Sequence, residues 1–176
     1  MTFSIVARDS ATGDLGVAVQ SKFLAVGAVV PWARAEIGAV ATQAFANVAY
    51  GPDALAALAA GATAPETLDI LLASDELREE RQVGIVDAAG SAASHTGRHC
   101  FRWAGGRTGE GYAAQGNILA GPGVVDALAE RFGAGELPFA ELLVACLTEA
   151  DASTSQFGTS PRDDGPGDLY LSLIHI

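Results

Sequence analysis

TFSIVAR (residues 2–8), DSATGD (9–14) and LGVAVQSK (15–22) form the stretch whose reading decides the fold. The first run alternates and is rich in β-formers, the second is a turn cluster, and the third reads as the returning strand. A turn centred between Ala11 and Thr12 pairs Thr2 with Ser21 and Ser4 with Val19. A register shifted by one sets Lys22 opposite Thr2 instead.

Working outward, residues 28–33 and 36–45 read as a second strand pair with a small-residue apolar core. The period then changes. Pro52 in a first helical turn, Leu55 and Leu58 on one face and Gly61 beyond them predict a short helix. Thr63-Ala-Pro-Glu66 is a capping-box pattern, with Leu68, Leu71 and Leu72 following at helical spacing. QVGIVD (82–87) and residues 91–96 predict a hairpin, and further strands are expected near 100–105 and 111–119. Val124, Val125, Leu128 and Phe132 stripe a third helix, and Phe139, Leu142, Leu143 and Cys146 a fourth. Strands, two helices, strands and two helices predict an α+β protein in which helix pairs cover two stacked sheets.

The chain has 176 residues, 49% of them hydrophobic, which suits a single domain with a sizeable core. Its net charge of −11 disfavours nucleic-acid and anionic-membrane partners. Residues 1–150 are expected to form one domain, and residues 151–170 an irregular Gly/Pro-rich segment. The last six residues, LSLIHI (171–176), match one reading frame of a transposon-end sequencing adapter and are expected to be foreign to the protein, which removes His175 from any site. Two cysteines, Cys100 and Cys146, are too few for a disulfide framework, and no secretory signal opens the sequence, so a cytoplasmic setting is expected. Lys22 is the only lysine beside nine arginines, a usage that a GC-rich genome explains.

The chemistry centres on Met1-Thr2. A small second residue permits removal of Met1, which leaves Thr2 with a hydroxyl and a free α-amine. A Thr hydroxyl needs a base to take its proton, and an α-amine with an ordinary pKa of about 7.7–8.0 is in part neutral near physiological pH. The Lys22 cation beside it would lower that pKa and steady negative charge, and Lys22 or Ser21 would support the reaction. Asn117, in Gln115-Gly116-Asn117, is the first candidate donor to an oxyanion, with Gln43 and Asn47 next. Gln43, Asn47, Gln115 and Gly116 are the candidate substrate-binding residues. His95-Thr-Gly-Arg-His-Cys100 lacks the ligand number and spacing of a zinc site, Gly121-Pro-Gly123 lacks a full phosphate-loop pattern, and Gly90-Ser91 reads as a hairpin turn. No metal and no cofactor is expected.

These blocks resemble a known family. TFSIVARD (2–9), GDLGVAV (13–19), SKFLAVG (21–27), VPWA (30–33), GAVATQA (38–44), RQVGIVD (81–87) and QGNIL (115–119), with Asn47, Tyr50-Gly51, His95-Thr-Gly97, Trp103-Ala-Gly105 and Gly111-Tyr112, are similar to the family catalogued as domain of unknown function 1028. The resemblance runs from Thr2 to about Thr148. It implies a four-layer αββα sandwich of the N-terminal-nucleophile (Ntn) hydrolase type, and no established substrate. A fainter likeness to the proteasome-type opening sets Gln20 where that pattern has aspartate and Lys22 where it has arginine. The functional expectation is an amidohydrolase acting on a small amide or γ-glutamyl-like bond, the alternative an inactive Ntn-fold binding or scaffold domain. Its partner would be a small-molecule amide, and homo-oligomerisation stays open.

Overall fold

The computed structural model describes residues 1–156 and 174–175. Strands β1 (Thr2–Arg8) and β2 (Leu15–Ser21) form the predicted hairpin. Its register pairs Thr2 with Ser21 and Ser4 with Val19, so the shifted register is not adopted. A single 3-10 turn (Val26–Ala28) leads to β3 (Pro31–Arg34), then β4 (Gly38–Ala44). The second strand pair is therefore shorter than expected, because the apolar run at 28–30 is spent on the turn and its exit.

Helix α1 (Tyr50–Ala59) and helix α2 (Ala64–Ser74) follow, joined at Gly61 with φ 98°. The capping box forms in full: the Thr63 hydroxyl accepts from the Glu66 N–H, and the Glu66 carboxylate accepts from the Thr63 N–H at 2.8 Å. Such a cap holds a helix end by about 1 kcal/mol. Strands β5 (Arg81–Asp87) and β6 (Ala92–Thr96) make the next hairpin, and β7 (Gly105–Gly109) and β8 (Tyr112–Asn117) another. The strand expected near 100–105 is thus a loop for most of that span. Helices α3 (Gly123–Ala134) and α4 (Phe139–Gln156) complete the order. The helical pattern was expected to stop at Ala150; the helix runs one and a half turns further, with Gln20 Nε2 donating to Asp151 Oδ1 at 2.7 Å.

The strands form two antiparallel sheets, β7-β8-β1-β2-β9 and β3-β4-β5-β6. Here β9 is Ile174–His175, two of the six residues expected to be foreign, which pair with Val17 and Gly16 on the edge of β2. The other four, and residues 157–170 of the expected irregular segment, lie outside the described residues.

Alternation along β1 sorts the core. Phe3, Ile5 and Ala7 face α3 and α4, where they meet Leu128, Leu143 and Leu147. Val6, Val17 and Val19 face the second sheet and meet Ala39, Ala41 and Val86. The far side of that sheet, with Val40, Val83 and Ile85, packs on Tyr50, Ala54 and Leu71 of α1 and α2. Cys146 is fully buried in the α4 stripe, and burial pushes its thiol up to about 12, which fits packing rather than chemistry. Among the described residues no helix is long and apolar enough to cross a membrane.

The sheets also meet through polar side chains. The Ser4 hydroxyl donates to Gln43 Oε1 at 2.7 Å, and Gln115 Nε2 donates to Ser4 Oγ at 2.7 Å. Gln43 Nε2 and Asn117 Nδ2 both donate to Gln82 Oε1, at 2.8 and 3.0 Å. Gln82 Nε2 in turn reaches the Gly116 carbonyl at 2.8 Å and Thr96 Oγ1 at 2.9 Å. The Gln115 side chain lies against Gly84, where an added Cβ would overlap its Oε1. Gly84→Ala is therefore expected to destabilise the protein by about 1–3 kcal/mol, the range of overpacking, read as a lower midpoint in chemical denaturation.

Candidate active site

Because even-numbered residues of β1 face the second sheet, the Thr2 side chain points between the sheets at the strand's first position. Its hydroxyl lies 2.7 Å from the Ser21 hydroxyl, the cross-strand partner set by the hairpin register. Ser21 Oγ also donates to the Met1 carbonyl at 3.2 Å and accepts from the Phe23 N–H at 3.0 Å. The Lys22 N–H reaches the same Met1 carbonyl at 3.4 Å. Burial, and then the Lys22 charge, lower the pKa of the chain's α-amine. Lys22 itself is exposed at the mouth.

Thr2, Ser21, Lys22 and Asn117 all line one cavity of about 490 Å³, within the usual range of small-molecule sites. Its other walls come from the segment after β2 and the segment after β4. Two wall residues, Ala44 and Ile118, hold left-handed backbones with φ 67° and 56°. A β-branched residue pays heavily for that conformation, and such strain persists where surrounding structure fixes it.

The chain matches the model of the "Family of unknown function (DUF1028)" over residues 2–158. It belongs to the DUF1028 family. A crystal structure of a DUF1028 protein from Silicibacter pomeroyi is similar, with a TM-score of 0.83 at 32% identity, over 86% of this chain and 70% of that one. No curated protein matches the chain.

In this DUF1028 protein the expected site residues divide. Gln43 touches the cavity, yet its amide is engaged at both ends by Ser4 and Gln82. One amide hydrogen of Asn117 is likewise given to Gln82, which weakens it as the oxyanion donor. Gln115 is fully buried between the sheets, and the Gly116 carbonyl serves Gln82; neither lines the cavity. Asn47 turns away to Asp75, Nδ2 to Oδ2 at 3.3 Å, and caps the Ala49 N–H. Gln20, the position of the missing aspartate, points to the opposite face of β2, toward α4. A carboxylate there would not reach the Thr2 hydroxyl.

What holds the cavity's second wall carries no sequence signal. Arg81 Nε pairs with Asp75 Oδ2 at 2.9 Å, its Nη1 donates to the Phe45 carbonyl at 2.6 Å, and its guanidinium lies over the Phe45 ring at 5.6 Å. A charged Arg within RQVGIVD was visible, but its partners lie on two other segments.

The His/Cys cluster is dispersed. His95 Nε2 bonds to the Arg78 carbonyl and His99 Nδ1 to Glu80 Oε1. Cys100 Sγ sits on the Arg81 carbonyl at 3.4 Å, and burial raises its thiol pKa, which disfavours the thiolate.

Two predictions follow from this wall. The Arg81 guanidinium holds the Asp75 carboxyl well below the usual carboxylate range, so its contribution is complete above about pH 4 and shrinks as pH falls toward the depressed folded value. Asp75→Asn should cost roughly 2–3 kcal/mol at pH 7, with the melting-temperature gap to wild type narrowing at pH 3. Ala44→Gly relieves a left-handed backbone at an exposed position and should raise stability by up to about 1 kcal/mol, measured by thermal melting.

Proposed function

We propose that this DUF1028 protein is an Ntn-type amidohydrolase of αββα architecture, with Thr2 as nucleophile once Met1 is removed. The observation that carries it is the 2.7 Å contact between the Thr2 and Ser21 hydroxyls at the wall of the cavity, which Lys22 also lines. The order of helix pair, sheet, sheet and helix pair supports the architecture, and the inward-facing first residue of β1 supports the nucleophile.

In this scheme the α-amine of Thr2 takes the hydroxyl proton as Oγ1 attacks the amide carbonyl. The Lys22 charge nearby would favour the neutral form of that amine. Loss of Met1 also releases the Lys22 N–H and the Ser21 hydroxyl from its carbonyl, two donors that replace the committed Asn117 amide at the oxyanion. The C–N bond breaks, the leaving amine takes the proton, and water then cleaves the Thr2 ester to free the carboxylic acid.

A second reading, a binding domain without turnover, gains from the engaged amides of Gln43 and Asn117, which leave few side-chain donors for catalysis. Intact-mass measurement of untagged protein, with turnover of an amide panel by wild type and Thr2→Ala, separates the two. The hydrolase predicts Met1 loss and a fall in kcat/KM of about a thousandfold or more in Thr2→Ala. Retained Met1, or equal rates in both proteins, would sink it.

A further inference from the structure

We infer that the cavity selects amides whose acyl side is an uncharged apolar group, aliphatic or aromatic, over γ-glutamyl and other zwitterionic groups. The inference rests on the hydrolase reading for its reaction, and on the walls for its chemistry. Polar atoms gather at one end, at Thr2, Ser21, Lys22 and Asn117. Val26, Val29 and Val30 line one side, and Phe23, Phe45 and Ile118 the rim.

Among the described residues that line the cavity, Lys22 carries the only charged side chain, and none is a carboxylate. A γ-glutamyl group brings an α-ammonium that needs an acceptor when it leaves water. The lining offers neutral amide oxygens of Gln43 and Asn117 instead of a carboxylate, and that of Gln43 already accepts from Ser4. An apolar acyl group makes no such demand, and its burial is favourable in proportion to area.

The rim itself argues for an apolar occupant. Phe23, Phe45 and Ile118 are 60%, 70% and 48% exposed, three large side chains grouped at one opening. Phe45 is held there by the Arg81 contacts, and Ile118 by a left-handed backbone hydrogen-bonded through its N–H to the Phe101 carbonyl at 3.0 Å. Phe45 and Ile118 are fixed in the open, so much of the surface that a ligand would cover already exists without it.

Placed this way, the acyl group lies along the valines with its carbonyl at Thr2. Attack forms the Oγ1–C bond and breaks the C–N bond, the amine departs with the transferred proton, and water returns Thr2 and the apolar carboxylic acid.

The test pairs binding with turnover on the wild-type protein. Calorimetry compares phenylacetate and hexanoate with glutamate and acetate, and hydrolysis compares the matching p-nitroanilides. The expected result is binding of the two apolar acids at least about tenfold tighter than acetate or glutamate. Phe23→Ser, at an exposed position, should reduce that preference severalfold with an unchanged melting temperature, and Phe45→Ser should reduce it likewise with a small fall in melting temperature from the lost ring contact with Arg81. Glutamate binding as tightly as the apolar acids, or none of the four binding, overturns the inference. Fastest turnover of the γ-glutamyl anilide overturns it while keeping the hydrolase. Apolar preference in binding without turnover of any anilide keeps the ligand class and removes the reaction.

Discussion

The buried amide of Gln82 is the constraint on which the rest depends. It stands on the second sheet with its oxygen accepting from Gln43 and Asn117 and its nitrogen reaching Gly116 and Thr96. Each such bond adds only about 0.5–1.5 kcal/mol net, but an unpartnered buried group costs about 1–3 kcal/mol. The network therefore specifies more than it stabilises. The Val and Ala contacts between the sheets are non-directional, whereas the amides accept one alignment. That alignment sets the start of β1 against the end of β4, and so places Thr2 beside the segment that carries Phe45.

The network also explains why the cavity sits at this end. Toward the turn of the first hairpin the sheets close on Val6, Val17 and Ala113. Toward the first residue of β1 the interior becomes polar, and the chain leaves β4 and β8 through left-handed residues, Ala44 and Ile118. Ala44, Phe45 and Ile118, at these two exits, line the cavity.

Much of this was legible in the sequence because its causes are local. The first hairpin takes one of the two registers that its turn cluster allows, the capping box follows from Thr63 and Glu66 three residues apart, and the four helices from their apolar stripes. The juxtaposition of Thr2, Ser21 and Lys22 comes with the same register. What was not legible depends on contacts across layers. Gln43, Gln115 and Asn117 read as candidate site groups since each is an amide on a strand, and only the stacking of the sheets turns most of their polarity inward on one another. Asn47 looked free until Asp75, on a different segment, took its amide. The continuation of α4 past Ala150 was hidden because Asp151, Ala152 and Ser153 carry no apolar stripe; the helix is held instead by a glutamine on β2.

Lys22 stands exposed at the cavity mouth and is the sole lysine of the chain. Every ε-amine that an activated ester or an aldehyde resin can find is thus at that opening, next to the terminal α-amine. Coupling the protein to a surface through its amines would orient all molecules alike, with the opening pressed against the support.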